Sequence, residues 1–208
     1  WALHQGSVEI KTPFTLLIDA DIECDEVTLQ SIFDKTSSEK IQLASVMALL
    51  KIESRWDKLM IPAFIYFFKS LYPFCLSNNP KYRSVAGAAG GFILIETSAL
   101  WNIGGFSSLK NALIDDCTLA RLVKKSGGNT WIGLSKGIRT KRSYYNLSNI
   151  WSMVERTAFT QLNYSFPLLL LSTCLMVLMF FIPILGVIFF NKIIIIISAL
   201  SILIMGFT

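Results

Sequence analysis

The 208-residue sequence predicts an α/β domain followed by membrane-spanning helices, on three observations. Apolar runs of strand length alternate with segments of helical period from Phe14 to Leu134, the interleaving of a layered α/β fold. An acidic triplet, Asp19-Ala20-Asp21, closes the first of these runs, where open α/β sheets present ligand-binding groups. The composition is 53% hydrophobic with a mean hydropathy of +0.54, and the excess collects after residue 165. Residues 1–165 are therefore expected to form one catalytic-sized domain and residues 166–208 a membrane region.

The elements follow in order. Phe14–Ile18 is predicted as a buried strand. Asp25 caps a helix through Val27, Leu29, Ile32 and Phe33 that ends near Ser37-Ser38. Ile41–Leu50 is the second strand. Ser54 caps a long helix, Trp56 to Phe74, whose face is apolar over most of its circumference. It is too short between Lys58 and Lys69 to span, so it is read as a helix on the bilayer or a plain core helix. A polar loop from Ser77 to Ser84 precedes the small-residue run Ala86–Gly91 and the strand Phe92–Glu96. Thr97 caps a short helix ending at Gly104-Gly105-Phe106. Asp115-Asp116 opens another, through Leu119, Leu122 and Val123, closed by Gly127 in a left-handed turn. Thr130–Leu134 is a further strand, and Ser148 starts an amphipathic helix carrying Trp151, Arg156, Phe159 and Gln161 towards the membrane.

Phe166 to Phe190 carries no charge and exceeds the roughly 20 residues that cross the hydrocarbon. After Asn191-Lys192 a second apolar run, 193–208, is expected to be a truncated second span. From Cys117 to Val154 there is no Asp or Glu, while Arg121, Lys124, Lys125, Lys136, Arg139, Lys141 and Arg142 are all basic. A positive block before a span predicts that this side faces the cytoplasm, and it suits anionic headgroups or a substrate diphosphate as well as plain solvation. Cys24, Cys75, Cys117 and Cys174 show no metal-binding spacing and are read as reduced. His4 is the only histidine, which leaves little material for a histidine metal site or a Ser-His-Asp triad.

Two constellations carry chemistry. Carboxylates one residue apart on an extended chain point the same way, so Asp19 and Asp21 are placed to face one divalent cation or diphosphate. The plainer reading is a turn with helix-capping acids. Asp115-Asp116 at a helix start suits N-capping and the helix dipole, and equally a general base that deprotonates an acceptor hydroxyl. The small residues at Ala86–Gly91 allow backbone to approach a ligand, or a strand and helix to pack closely.

These residues carry a family resemblance. Leu16-Leu17-Ile18-Asp19-Ala20-Asp21, Gly90-Gly91-Phe92, Gly104-Gly105-Phe106 and Ile114-Asp115-Asp116-Cys117-Thr118-Leu119-Ala120 resemble family 2 glycosyltransferases of the GT-A fold. Ile61-Pro62-Ala63-Phe64, Leu71-Tyr72-Pro73-Phe74, Ala112–Asp116 and Arg156–Leu162 are similar to the hopene-associated branch of bacterial membrane glycosyltransferases. The resemblance implies an inverting transfer from a nucleotide-diphosphate sugar to a lipid acceptor, a hopanoid or relative, with no nucleic acid involved. It implies Asp116 as catalytic base, with Asp115 beside it where many relatives have Glu. Asp21 would ligate Mg²⁺ or Mn²⁺ on the diphosphate, and Asp19 would contact the ribose or a metal-bound water. Gly90 and Gly91 would line the donor-sugar and acceptor pocket. Arg156 would clamp the diphosphate, the one residue retained from the family's Gln/Arg-x-x-Arg-Trp motif in Met153-Val154-Glu155-Arg156-Thr157.

The resemblance also implies a multi-pass protein of the bacterial inner membrane, with this chain a fragment lacking the N-terminal strands and binding nucleotide poorly alone. Two readings compete with it. A haloacid-dehalogenase-type phosphatase also places Asp-x-Asp after a strand, but it wants Thr or Val where Glu23 stands. A non-catalytic membrane component of envelope assembly is the other.

Overall fold

The computed structural model describes residues 2–110, 112, 115–141, 147–149, 151–152, 154–155, 162, 164–189 and 192–207. The chain divides into two compact units, Trp1–Glu155 and Arg156–Thr208, a boundary ten residues earlier than hydropathy suggests.

The first unit is built on a five-stranded mixed sheet in the order β1-β4-β3-β5-β2. The strands are β1 (Phe14–Ile18), β2 (Ile22–Cys24), β3 (Leu43–Leu49), β4 (Phe92–Glu96) and β5 (Thr130–Thr140). β3 runs parallel to β5, while the β1–β4, β3–β4 and β2–β5 pairs are antiparallel. β3 lies at the centre, buried from Leu43 to Ala48 and covered on both faces. Alternation along the strands sorts two cores. Leu43, Ile93 and Ile95 pack with Leu100, Leu119 and Val123 on one face. Ala44, Val46, Phe92 and Leu94 pack with Ile32 and Ile138 on the other. Each large apolar side chain so buried stabilises the fold by about 1.5–3 kcal/mol.

β1 differs from the expected buried strand. It is an edge strand, with Leu16 and Ile18 exposed at 37% and 45%. Five apolar residues in a row cannot by themselves distinguish a strand covered on both faces from an edge strand covered on one. β2 was not legible, because three residues hold no period. β5 runs six residues past the predicted Leu134, bulging where Met47 pairs with Leu134 and Leu49 with Arg139.

The helices match the capping signals closely. α1 (Ala2–Ser7) precedes the sheet. α2 (Glu26–Ser38) begins at Asp25, whose carboxylate accepts from the Thr28 N–H at 2.7 Å. α3 (Arg55–Leu71) begins at Ser54 in a reciprocal capping box with Asp57. It ends three residues before the expected Phe74, and the chain resumes as the single turn α4 (Phe74–Ser77) after Pro73. Ile61 is buried in α3 while Trp56, Leu59 and Leu71 are exposed, so it is a partly covered surface helix. α5 (Thr97–Asn102) lacks the expected Thr97 cap: Glu96 stands at the N-cap position without a side-chain cap bond, the Thr97 hydroxyl bonds that of Thr15 at 2.9 Å, and a 3₁₀ turn follows over Gly105–Leu109. α6 (Asp115–Lys125) is closed by Gly127 at φ +98°. Helical residues recur at 147–149, 151–152 and 154–155.

The basic block is not uniformly solvated. Lys124 is buried, and its Nζ donates to the carbonyls of Leu76, Ser77 and Val85 at 3.1, 2.5 and 2.7 Å. It tethers the Ser77–Ser84 loop to α6 and holds no headgroup. Burial lowers its pKa.

The second unit contains two apolar helices, α7 (Phe166–Phe189) and α8 (Lys192–Phe207). Among the described residues one helix, α7, is long and apolar enough to cross a membrane. α8, at 16 residues, falls short of the expected second span. Ser198 is buried against Gly186, so small residues set the close approach of the two helices.

Candidate active site

The site forms where β1 ends and β4 begins. Ile18 pairs with Phe92, which places Asp19 level with Gly91. The Asp19 N–H donates to the Gly91 carbonyl at 3.2 Å, the last rung of that ladder. The Ile22 N–H then donates to the Asp19 carbonyl at 3.0 Å. Asp19, Ala20 and Asp21 therefore occupy a hydrogen-bonded turn, not the extended chain expected from the spacing.

This turn joins the two edges of the sheet. Four inter-strand spacings of about 4.8 Å would part the edges of a flat sheet by roughly 19 Å. Ile18 to Ile22 reaches at most about 15 Å. The connection closes because the sheet is stepped as well as twisted. β3 pairs with β4 only over Leu43–Ser45, and runs on beyond Phe92 to Leu49, where β5 and β2 continue beside it. The Ile22 side chain accordingly meets Gly91, its Cδ1 lying 3.2 Å from where a Cβ would stand. Asp21 is held from β5, by the Lys141 N–H on its carbonyl at 2.7 Å and the Thr140 hydroxyl on its carboxylate at 3.5 Å.

The second acidic pair arrives from α6. Asp116 lies in its first turn, half-buried, with Oδ2 3.2 Å from where a Cβ on Gly90 would stand. Its carboxylate accepts from the Gly90 and Cys117 N–H groups. One dipeptide, Gly90-Gly91, thus touches Asp116 on one side and Asp19 on the other. A Cβ on Gly90 would press on the Asp116 carboxylate, and one on Gly91 would press on the Ile22 side chain with the Asp19 carboxylate 4.0 Å away.

The electrostatics reflect the convergence. Burial pushes the Asp116 carboxyl above its ordinary value, assisted by the neighbouring Asp115 charge, against hydrogen bonds that favour ionisation. Asp19 reaches solvent, yet partial desolvation raises its pKa too, with the Asp21 and Asp115 charges adding to the rise. Asp19, Asp21 and Asp115 therefore share one negative field. Among the described residues no group of three or more His, Cys, Asp or Glu side chains forms a metal cage. The donor set fits Mg²⁺ or Mn²⁺ in the other common form, one or two carboxylates completed by substrate phosphate oxygens. A cation there would relieve the repulsion already felt at Asp19.

Sequence reading missed the residues that hold this geometry. Ser45, fully buried in β3, accepts from the Ala89 N–H at 2.8 Å and donates to the Ala89 carbonyl at 3.0 Å. It pins the residue just before Gly90-Gly91 to the central strand, and its signal was a lone hydroxyl in the run Leu43–Leu49. The Cys117 thiol donates to the Ala88 carbonyl at 3.3 Å and bonds Tyr72, with burial pushing its pKa up to about 12. Tyr72 in turn crowds Gly87, so close packing and ligand-side crowding both occur within Ala86–Gly91. Arg156, the expected diphosphate clamp, lies outside the described residues.

No curated protein matches the chain. A family model described as glycosyl transferase family 21 matches residues 2–207, which supports glycosyl transfer without assigning family 2 or its hopene-associated branch.

Proposed function

The chain belongs to glycosyl transferase family 21, and we propose that it moves a sugar from a nucleotide-diphosphate donor to a hydroxyl of a lipid acceptor, with inversion, on a GT-A-type scaffold. The observation that carries this reading is the Gly90-Gly91 dipeptide set between Asp19 and Asp116. A donor sugar lying over those glycines has the acidic turn at its diphosphate end and Asp116 at its acceptor end. Of the three functions considered from sequence, the transferase is the one the family match supports.

In this reading Asp116 accepts the acceptor's proton as the new glycosidic bond forms, and the nucleoside diphosphate leaves. Burial raises its proton affinity, and the Gly90 and Cys117 N–H groups orient its oxygens. Asp21 would ligate a divalent cation, with Asp19 on the ribose or a metal-bound water and Asp115 adding charge to the donor side. The cation, when bound, neutralises the charge developing on the leaving diphosphate. Arg156 would add a second clamp. α7, long and apolar enough to cross a bilayer, would anchor the chain there. The positive-inside pattern favours a cytoplasm-facing domain, and a lipid such as a hopanoid would be delivered from that bilayer, which the family resemblance makes bacterial.

The test is a donor screen on the protein in lipid, with the product identified by mass spectrometry. Asp116→Asn is expected to lower transfer by at least 100-fold, in the range lost with a general base, while donor binding holds. Normal turnover would remove Asp116 as the base. Asp21→Ala is expected to weaken metal-dependent donor binding, and retained affinity with an unchanged metal requirement counts against its role as ligand.

A further inference from the structure

α3 carries two apolar stripes, and only one of them faces the domain. Asp57, Ile61, Phe64, Phe68 and Tyr72 recur every three or four residues and form the inward face. Asp57, Ile61 and Tyr72 are buried there, and the Phe68 and Tyr72 rings lie 5.2 Å apart between centroids. Trp56, Leu59, Ala63, Phe67 and Leu71 recur at the same spacing and form a second stripe, turned about a third of the way round the helix. On it Trp56, Leu59 and Leu71 leave 47%, 63% and 55% of their surface exposed. The Ser70 hydroxyl beside this stripe is satisfied within the helix, donating to the Tyr66 carbonyl at 2.9 Å. A helix packed on a domain needs one apolar stripe, so the second calls for another covering.

The remaining face is cationic. Arg55, Lys58 and Lys69 line it, all exposed, and among the described residues no carboxylate lies within ion-pair distance of them. The one acid of the helix, Asp57, is turned inward and accepts from the Ser54 and Glu53 N–H groups at 2.8 and 3.1 Å. An apolar stripe bordered by lysine and arginine, with a tryptophan at one end, suits a helix lying in the plane of a membrane surface. Its rings and leucines enter the acyl boundary, while the long basic stems reach back to the headgroups. A bilayer is also within reach. The chain from Glu155 to Phe166, where α7 begins, extends at most about 40 Å, so the first unit cannot leave a membrane that α7 crosses. A second copy meeting this stripe through its own would oppose like charges, which disfavours a dimer there.

We propose that α3 is an interfacial helix, its Trp56–Leu71 stripe lying in the boundary between headgroups and acyl chains of a bilayer that contains anionic phospholipid, with Arg55, Lys58 and Lys69 on the headgroup phosphates. The contact is about 22 Å long. It rests on the reading of α7 as the membrane anchor, and adds to it a second attachment made by the α/β unit itself. Tyr72, at the end of α3, packs on Gly87 and bonds Cys117, so docking restrains the loop that carries Gly90-Gly91.

The test is photolabelling of the whole chain in liposomes that carry a phospholipid with a diazirine high on its acyl chain, the labelled residues being located by mass spectrometry. In liposomes containing phosphatidylglycerol, label is expected at Trp56, Leu59 and Leu71 as well as along α7, and several-fold less at Ile61 and Tyr72. With phosphatidylcholine alone the α3 label is expected to fall several-fold, and Arg55→Gln, Lys58→Gln and Lys69→Gln together to remove that lipid dependence. Leu59→Gln is expected to lower the label across α3 with the melting temperature unchanged, since its side chain is exposed in the fold. Label confined to α7 overturns the proposal and leaves the anchor intact. Label in α3 but not in α7 upholds the docking and removes α7 as the anchor, so the two failures are told apart. Equal label on both faces of α3 overturns the proposal, because the helix is then immersed in lipid or unfolded. So does an α3 label indifferent to lipid charge, or cross-linking of α3 to a second copy in place of lipid.

Discussion

At the scale of single residues, burial decides what each carboxylate can do. Asp116 carries a raised pKa chiefly because it is desolvated against Gly90 and α6. A base works only when ionised, so transfer should decline as pH falls through that raised value. The acid limb of kcat/KM is therefore expected to lie above the ordinary aspartate range of about 4. A pH profile on the lipid-embedded protein measures it, and a limb at the ordinary value would mean that the titrating base is a solvated carboxylate. The residues that line the site could be picked out of the sequence, while their roles belong to the proposal. Asp19, Asp21, Asp115 and Asp116 stood out because acids beside apolar runs are unusual, and Gly90 and Gly91 because two glycines before a strand need a reason. Lys124 was not legible as a tether, since a buried lysine capped by carbonyls looks in sequence like any other member of a basic run. Ser45 was hidden in the same way, one hydroxyl among apolar neighbours.

Elements assemble these residues through a small number of latches. The Ser45 hydroxyl makes two hydrogen bonds to Ala89, and with them holds the loop that both acidic clusters touch. At about 1 kcal/mol net for each, Ser45→Ala is expected to cost about 2 kcal/mol of stability. Because the freed loop carries Gly90-Gly91, transfer should fall by roughly tenfold or more, as small misplacements of reacting groups do. Thermal unfolding and kcat measured on the same preparation check this, and a loss of stability with kcat unchanged would make Ser45 a packing residue only. Strand and helix identities were readable where capping or length marked them, as at Asp25, Ser54 and Gly127. Strand order was not. The pairing of β1 with β4 and of β2 with β5 joins residues about eighty and one hundred and twenty apart, and no local pattern encodes partners at that range. The same limit explains why β1 was read as buried when it is an edge.

For the whole molecule, the division at Glu155 separates a mixed α/β unit from an apolar helical pair. α7 has the length to cross a bilayer and carries no charge, its only hydroxyls, Ser172 and Thr173, both donating to the Leu169 carbonyl. An arginine near the middle of such a helix costs about 2.5–3.5 kcal/mol on insertion. Leu178→Arg is therefore expected to shift a large share of the chain out of alkali-stripped membranes, read by immunoblot of pellet and supernatant. Full retention would assign membrane attachment to another segment. The hydropathy of α7 made this unit the easiest to foresee, and α8, similar in composition but shorter, shows that apolarity alone does not settle a span.

The turn between β1 and β2 has a consequence for how the protein comes apart. Opposite rims of the sheet are tied by three residues, Asp19, Ala20 and Asp21, and the same residues would grip the donor. Peeling either rim strand drags that knot with it, so a bound nucleotide sugar acts as a rivet through the fold's seam. Occupancy should slow unfolding, and protease resistance should follow donor concentration.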